Sequence, residues 1–163
     1  MTAQPGSAFG DHDHAKCTKT ALDRAEQHCR DTGARLTPVR RRTLEILLHE
    51  HRAMGAYEVL EKLSSDGFGS QPPVAYRALE FLVDQGLAHR IRRLNAFAAC
   101  TGPEQSHAPL FLICRSCKAV EELLADDVRA MVDAESQEIG FQVERTNLEA
   151  LGLCPSCRTG SNA

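Results

Sequence analysis

Two pairs of cysteines constrain the fold of this 163-residue chain more than any other feature, Cys114 with Cys117 and Cys154 with Cys157. Each pair has the spacing CxxC, in which a tight turn directs two sulfur atoms to one point. Four thiolates complete a tetrahedral, structural zinc site and leave no position open for water or a substrate. Since 37 positions separate Cys117 from Cys154, one zinc ion would join an internal hairpin to the C-terminal segment.

Two disulfides or one redox-active CxxC pair are the alternatives to zinc. The first sixteen residues are polar and lack the apolar segment of an export signal. We therefore expect a cytoplasmic protein, in which thiols stay reduced. A redox-active CxxC normally opens a helix in a thioredoxin-like pattern, and neither pair does so. The sequence thus predicts a zinc site formed by all four cysteines.

Length and composition set broad limits on the fold and on possible partners. The length suits one large domain or two small ones. With 42% apolar residues the chain can form cores, but no apolar run is long enough to cross a membrane. Aromatic residues are few and tryptophan is absent, which disfavours a surface that stacks nucleic-acid bases. The segment 33–93 carries ten basic and seven acidic side chains, whereas 94–163 carries five and ten. This asymmetry is compatible with an anion-binding module beside a second module, or with ordinary scatter.

Periodic apolar residues and capping residues predict four helices in the N-terminal half. Residues 1–16 form a polar tail that we expect to be disordered, His12 and His14 included. The predicted helices lie over Thr18–Asp31, from Thr37-Pro38 onward, around Tyr57–Leu63, and from Pro72-Pro73, with Ser70 as the cap, to Gly86. Two short strands follow, His89–Arg93 and Ala96–Cys100. Small helices followed by a hairpin are typical of a winged helix-turn-helix domain.

The C-terminal half has the pattern of a small sheet with one helix. The predicted strands are Leu110–Ile113, Ala119–Leu123 and Phe141–Leu151, and the helix is Ala125–Ile139. Such a unit is too small to be stable alone, so we expect it to pair with a second copy. The predicted fold class is therefore α+β, with a winged-helix DNA-binding domain at 17–100, a hinge at 101–107 and a small α/β dimerisation and zinc-binding domain at 108–163.

A second set of metal-ligand residue types lies near the junction of the two halves: His89, Cys100, His107 and Glu122. One thiolate, two imidazoles and one carboxylate can complete a tetrahedron around zinc, and the thiolate favours zinc over manganese or iron(II). The alternative is that each residue has an ordinary surface or core role, because a free cysteine is usually a small buried apolar group. Strand register decides whether Glu121 or Glu122 points inward. Cys17 and Cys29, which one helix would hold about 18 Å apart, are interpreted as bystanders.

Four segments of the chain resemble the ferric uptake regulator superfamily. The segment Arg35–Arg40 is similar to its RLTPQR opening, and Tyr76–Leu82 is similar to its TVYRALDFL recognition helix. Phe111–Glu122 resembles its FICDRCGAVKE segment, and Gly152–Cys157 resembles its GLCxxC close. The resemblance covers about Ala21 to Arg158 and is greatest to the zinc uptake regulator branch. Iron-sensing members usually carry a His-rich run before the first CxxC pair, where this chain offers His107 alone.

The resemblance implies a zinc-responsive repressor of zinc-uptake genes, a homodimer that binds a palindromic operator in double-stranded DNA. It implies two zinc ions per chain, one structural at the four cysteines and one regulatory at His89, Cys100, His107 and Glu122. Arg77 is the candidate for contact with a base edge. The candidates for phosphate and sugar contacts are Tyr57, Tyr76, Arg40 and Arg41, with Arg90, Arg92 and Arg93 in the wing. The resemblance implies neither a small-molecule substrate nor a membrane partner.

The chain departs from the family pattern at the recognition helix and just before the first arginine of helix 2. The usual TVYR is Val74-Ala75-Tyr76-Arg77, which lacks a threonine hydroxyl, and the usual glutamine is Val39. The alternatives to a zinc sensor are an iron or peroxide sensor of the same superfamily, a zinc-dependent hydrolase that uses the His/Cys/Glu set, and a metal-carrying or adaptor protein. Against an enzyme, the sequence contains neither an HExxH motif nor an evident nucleophile–base pair.

Overall fold

A computed structural model describes residues 14–50, 52–100, 109–144 and 146–160 of the chain. The four predicted N-terminal helices are present, as α1 His14–Thr32, α2 Pro38–Glu50, α3 Ala56–Ser65 and α4 Pro72–Asp84. Helix α1 begins four residues before the predicted Thr18, so the last three residues of the predicted tail are helical. The rest of that tail lies outside the described residues.

Proline and glycine determine where these helices begin and end. Pro72 takes the first helical position of α4, and the residue before a proline is restricted to extended backbone. The N-cap is therefore Gln71, not the predicted Ser70, and its side chain makes no capping hydrogen bond. After α4 the chain turns at Gly86, whose positive φ of 69° is favourable for glycine. This turn directs the chain into the wing.

The wing is an antiparallel hairpin of strands β1 Ala88–Ile91 and β2 Ala96–Ala99. The first strand is shorter than predicted, because Arg92–Leu94 forms one turn of 3-10 helix that is closed by Asn95 in the left-handed conformation. The wing packs on a core shared by the four helices. The fully buried side chains of this helical core include Leu44, Leu47, Val59, Leu63, Leu79 and Leu82.

The C-terminal half contains a three-stranded sheet, one longer helix and one short helix. Its elements are β3 Pro109–Cys114, β4 Val120–Leu124, α5 Asp126–Glu138, β5 Leu148–Gly152 and α6 Pro155–Arg158. Strand β3 is central, antiparallel to β4 and parallel to β5. The predicted strand over Phe141–Leu151 was too long. Gly140 (φ 73°) and Phe141 complete the end of α5, where Phe141 N–H donates to Ser136 O at 2.8 Å.

The two halves contact each other through a second apolar cluster. Ala53, Ile91, Ala96 and Ala98 of the N-terminal half pack there with Phe111, Ile113 and Val120 of the sheet. A single β-bridge pairs Arg52 with Ala119, and Ala53 N–H donates to Lys118 O at 3.3 Å. This contact brings the wing against one face of the sheet. Within the described ranges, no helix has both the length and the apolarity needed to cross a membrane.

Candidate metal centres and nucleic-acid interface

The two CxxC turns meet at one point. The sulfur atoms of Cys114, Cys117, Cys154 and Cys157 all lie within 4.8 Å of one another. The Sγ atoms of Cys117 and Cys154 are 3.8 Å apart. Zinc–sulfur bonds of about 2.3 Å in a tetrahedron place neighbouring sulfurs about 3.8 Å apart, so this spacing fits zinc.

Backbone geometry sets the position of each turn. Cys114 ends β3, and its N–H donates to Ala119 O at 2.9 Å, which closes the first turn with Lys118 in a left-handed conformation. Cys154 precedes α6, whose first helical residue is Pro155. Arg115 N–H donates to Gly152 O at 2.9 Å and thereby joins the two turns.

The thiols of Cys114 and Cys117 are in electrostatically different environments. Burial raises the pKa of Cys114, but backbone N–H groups of Cys154, Cys117 and Ser116 stabilise its thiolate, and the pKa falls to about 6. Burial raises the pKa of Cys117 to about 12, and hydrogen bonding with Cys114, Cys157 and Cys154 adds to that rise. The surroundings of Cys114 thus favour its thiolate, whereas those of Cys117 favour its thiol. These donors fit a structural zinc ion.

A second cluster lies where the wing meets the sheet. His89 Nε2 lies 3.1 Å from Glu122 Oε1, and Cys100 Sγ lies 3.7 Å from the same oxygen. One donor atom from each of these three residues lies within 4.8 Å of the other two. The Glu122 side chain is 5% exposed and that of His89 is 19% exposed. One imidazole, one thiolate and one carboxylate at this spacing fit three positions of a zinc tetrahedron.

Strand register selects the carboxylate. Glu122 is paired with Phe111 of β3, and Glu121 is paired with Leu112. Neighbouring residues of a strand point to opposite faces, so Glu122 faces the wing and Glu121 faces away from it. His107, the fourth predicted ligand, lies in the segment 101–108, outside the described residues, as does the predicted hinge 101–107.

An exposed aromatic pair lies on the helix-turn-helix surface. Tyr57 of α3 is 66% exposed and Tyr76 of α4 is 38% exposed. Their rings meet edge to face with centroids 6.4 Å apart. Arg77 is exposed beside Tyr76. The three predicted contact residues of this surface are therefore grouped and open to solvent.

Arg40 and Arg41, two of the predicted phosphate-binding residues, already have partners within the domain. The Arg40 guanidinium lies 3.7 Å from the centre of the Phe81 ring and donates to Arg35 O at 2.7 Å. Arg41 forms ion pairs with Glu26, at 2.9 Å, and with Glu45. The hydrogen bond to Glu26 is the main cause that raises the Arg41 pKa. Both arginines thus connect α2 to neighbouring segments.

The wing arginines make different contacts. Arg90 donates to Asn95 Oδ1 at 3.0 Å. The backbone N–H groups of Arg92 and Arg93 donate to the two carboxylate oxygens of Glu149, at 2.8 and 3.2 Å. Sequence reasoning missed Glu149, because its partners are backbone atoms that lie 57 and 56 positions away. No residue-type signal marks such a contact.

Cys29 is buried in α1 among apolar side chains, and burial raises the pKa of its thiol. This environment fits a core residue. The side chains of Cys17 and His14 and the whole of His12 lie outside what the structure describes. Their predicted roles stay predictions.

Comparison with known proteins identifies the family. The model of the Ferric uptake regulator family matches residues 31–151. The chain belongs to this family. Among curated relatives, the zinc uptake regulation protein of Escherichia coli (strain K12) is 33% identical over 141 residues, which cover 86% of this chain and 82% of that protein. The resemblance inferred from the four sequence motifs is confirmed.

Solved structures of the ferric uptake regulator family share the fold. A structure described as a zinc uptake regulator complexed with zinc and DNA has a TM-score of 0.84 at 32% identity, covering 90% of this chain and 98% of that chain. The holo form of XcZur has a TM-score of 0.78 at 35% identity, covering 86% and 98%. Its apo form has a TM-score of only 0.50, at 34% identity and coverage of 88% and 99%. The predicted α+β fold class is confirmed.

Proposed function

We propose that this protein is a zinc-responsive transcriptional repressor that binds a palindromic operator as a homodimer and silences zinc-uptake genes. The observation that carries the proposal is the convergence of His89, Cys100 and Glu122 from both halves of the chain. The greater similarity to the holo form of XcZur than to its apo form supports the same conclusion. The arrangement described here resembles that of the metal-bound relative.

The four cysteines would hold a structural zinc ion. Their sulfur spacing favours a closed site, which would stabilise the fold without catalysing a reaction, and no fifth donor joins the cluster among the residues that the structure describes. The site would join the β3–β4 hairpin to α6. Because the sheet is small, this connection would supply much of the stability of the C-terminal half.

His89 and Cys100 would hold a regulatory zinc ion from the wing, Glu122 would hold it from β4, and His107 would be the fourth ligand. All these donors would give electron pairs to the bound zinc, whose charge would offset those of the Glu122 carboxylate and the Cys100 thiolate. The ligands on the two halves then keep the wing against the sheet. This is the orientation in which we propose that the protein binds DNA, and DNA must in return tighten zinc binding.

We propose a domain division of 17–100, 101–107 and 108–163, with the middle segment as a hinge. A homodimer must present its recognition helices about 34 Å apart to contact successive major grooves. Exposed apolar side chains of the C-terminal half support dimerisation there: Leu124, Val128, Met131, Ile139, Phe141, Leu151 and Leu153. So many exposed, large apolar side chains in so small a half are typical of a subunit interface.

Arg77 would contact a base edge in the major groove, and Tyr57 and Tyr76 would contact the phosphate backbone beside it. The side chains of Arg90, Arg92 and Arg93 would add positive charge at the wing, so operator binding should weaken steeply as salt increases. Arg40 and Arg41 remain candidates for phosphate contacts, although their ion pairs and ring contact support a second role in the packing of the domain.

The proposal makes the protein a cytoplasmic regulator with two zinc ions per chain and no catalytic activity. A sensor of iron or peroxide would need a donor set suited to iron(II), whereas the Cys100 sulfur favours zinc. A zinc hydrolase would need an open metal position beside a general base. No contact among the described residues favours a hydrolase.

Selection of a duplex from a random-sequence DNA pool tests the proposal. Protein loaded with two equivalents of zinc should enrich one palindromic sequence, and protein holding one equivalent should not. Competition between zinc and iron(II) on the same sample distinguishes the zinc sensor from an iron sensor. Enrichment that does not depend on the second equivalent would contradict the proposed function.

A further inference from the structure

The contact between Glu149 and the wing lies in the same row of the sheet as the second metal cluster. Phe111 of the central strand is paired with Glu122 of β4 on one side and with Glu149 of β5 on the other. Residues opposite each other in neighbouring strands face the same side of a sheet. The sheet thus presents an aromatic ring flanked by two carboxylates to the wing.

Each member of this row contacts a different part of the wing. Glu122 lies at hydrogen-bond distance from His89 Nε2. Phe111 is 2% exposed, packs in the apolar cluster with Ile91, and lies 5.1 Å from the His89 ring between centroids. Glu149 accepts hydrogen bonds from the backbone N–H groups of Arg92 and Arg93. The row therefore follows the wing from β1 to its 3-10 turn.

We propose that Glu149 is a positioning residue that holds the wing against the C-terminal sheet independently of metal, and that the regulatory zinc needs this second contact to orient the DNA-binding domain. Only the second of these two claims, that the regulatory zinc needs the Glu149 contact, rests on the proposed function. The apolar cluster and the group of His89, Cys100 and Glu122 hold β1 and β2 against the sheet. Glu149 adds a directional contact to the 3-10 turn from the opposite edge strand, which resists rotation of the wing about that group.

The Glu149 carboxylate is well suited to this role. Its Oε1 atom accepts from Arg92 N–H at 2.8 Å and from Asn147 Nδ2 at 3.0 Å, and its Oε2 atom accepts from Arg93 N–H at 3.2 Å. The two backbone donors belong to the 3-10 turn, whose first N–H groups have no partner within the turn. A carboxylate satisfies both donors at once, and its hydrogen bonds are charge-assisted. Asn147 orients it from the same side of the sheet edge.

The test compares Glu149→Gln and Asn147→Ala with the wild-type full-length protein, and Glu138→Gln at the exposed end of α5 is the matched control. Glu149→Gln keeps one acceptor oxygen but turns an NH2 donor toward the other backbone N–H. Amide hydrogen exchange of Arg92 and Arg93, followed by NMR with selective ¹⁵N-arginine labelling, reports the contact directly. Metal content at the four cysteines and the oligomeric state serve as checks that each variant is folded.

We expect faster exchange at Arg92 and Arg93 in both test variants, without zinc and with one or two equivalents, and unchanged exchange in the control. At saturating zinc, the dissociation constant for the selected duplex should rise about five- to tenfold, as expected for the loss of one hydrogen bond of typical net strength. Zinc binding by the variants in the absence of DNA should change less than operator binding.

Unchanged exchange at Arg92 and Arg93 in Glu149→Gln would overturn the proposed contact. Faster exchange with operator affinity within twofold of wild type would overturn the positioning role. Failure of the wild-type protein to select any duplex with zinc would instead refute the proposed function, and the exchange measurements would still decide whether Glu149 holds the wing.

Discussion

The Nε2 atom of His89 in the wing lies 3.1 Å from the Oε1 atom of Glu122 in the C-terminal sheet, although 33 residues separate them along the chain. Both side chains are largely buried, and Cys100 completes the group from the end of β2. A donor set drawn from both halves means that a bound cation must restrict their relative motion.

Glu122→Gln should abolish the second zinc equivalent, whereas Glu121→Gln should leave it intact. The two residues are adjacent, yet only Glu122 faces the wing, because successive residues of a strand alternate between faces. Loss of a direct ligand should weaken zinc binding at this site about 100-fold or more, since outer-shell partners alone contribute 10- to 100-fold. Zinc titration with a competing chelator measures the effect. Equal losses in both variants would show that register does not determine the ligand.

Cys100→Ser should remove zinc-dependent DNA binding while the protein stays a folded dimer. The matched control is Cys29→Ser, which also replaces a buried thiol, but in the core of the helical domain. The control should lose about 1–3 kcal/mol of folding free energy, because a hydroxyl is buried among apolar groups, and should keep its response to zinc. Operator binding with and without added zinc, alongside thermal unfolding, separates the two effects. A zinc-dependent response retained by Cys100→Ser would refute the role assigned to that thiol.

Cys114→Ser should unfold the C-terminal half or prevent dimerisation. The Cys114 thiol has a pKa of about 6 and lies in the cluster that holds β3, β4 and α6 together. Removal of one of four thiolates leaves a weak site, and the folding free energy supplied by the metal is lost with it. Metal analysis and sedimentation of the purified variant measure the outcome. A soluble dimer that contains no metal at the four-cysteine cluster, in the wild type or in the variant, would contradict the assignment of a structural zinc site to these cysteines.

Arg40→Lys should destabilise the helical domain even without DNA. The planar guanidinium lies over the Phe81 ring and donates to Arg35 O, and an ammonium group reproduces neither contact well. The expected loss is about 1 kcal/mol, measured by denaturant unfolding. Operator affinity should decrease for all duplex sequences alike, since the residue positions α2 against the recognition helix. A variant with unchanged stability and reduced affinity would indicate a phosphate contact alone.

Local sequence signals predicted most of the helical domain and the four-cysteine cluster. Pro38 and Pro72 mark the first turns of α2 and α4 because proline fits that position, and the CxxC spacing determines its own turn. The residue types at His89, Cys100 and Glu122 also identified the second cluster. The choice of Glu122 over Glu121 required the strand register, which local patterns do not determine.

Most of what sequence reasoning missed depends on contacts between segments that are distant in the chain. The exception is local, because Gly140 ends α5 and Phe141 N–H donates to Ser136 O, so the last strand is shorter than predicted. Glu149 binds backbone N–H groups, and any residue could supply those groups. Arg40 could be assigned to DNA from its charge alone, whereas its position over Phe81 depends on how α2 packs against α4. The contacts of Glu149 and Arg40 arise from packing, so they can be identified only from the folded structure.

The most direct test of the central claim is a titration of operator binding against buffered free zinc, with metal stoichiometry read on the same sample. The account predicts that one equivalent per chain is retained throughout. It also predicts that affinity for the selected duplex rises as the second equivalent binds and that the rise is absent in Glu122→Gln. Operator binding that is complete with one equivalent per chain, or a rise that persists in Glu122→Gln, would contradict it.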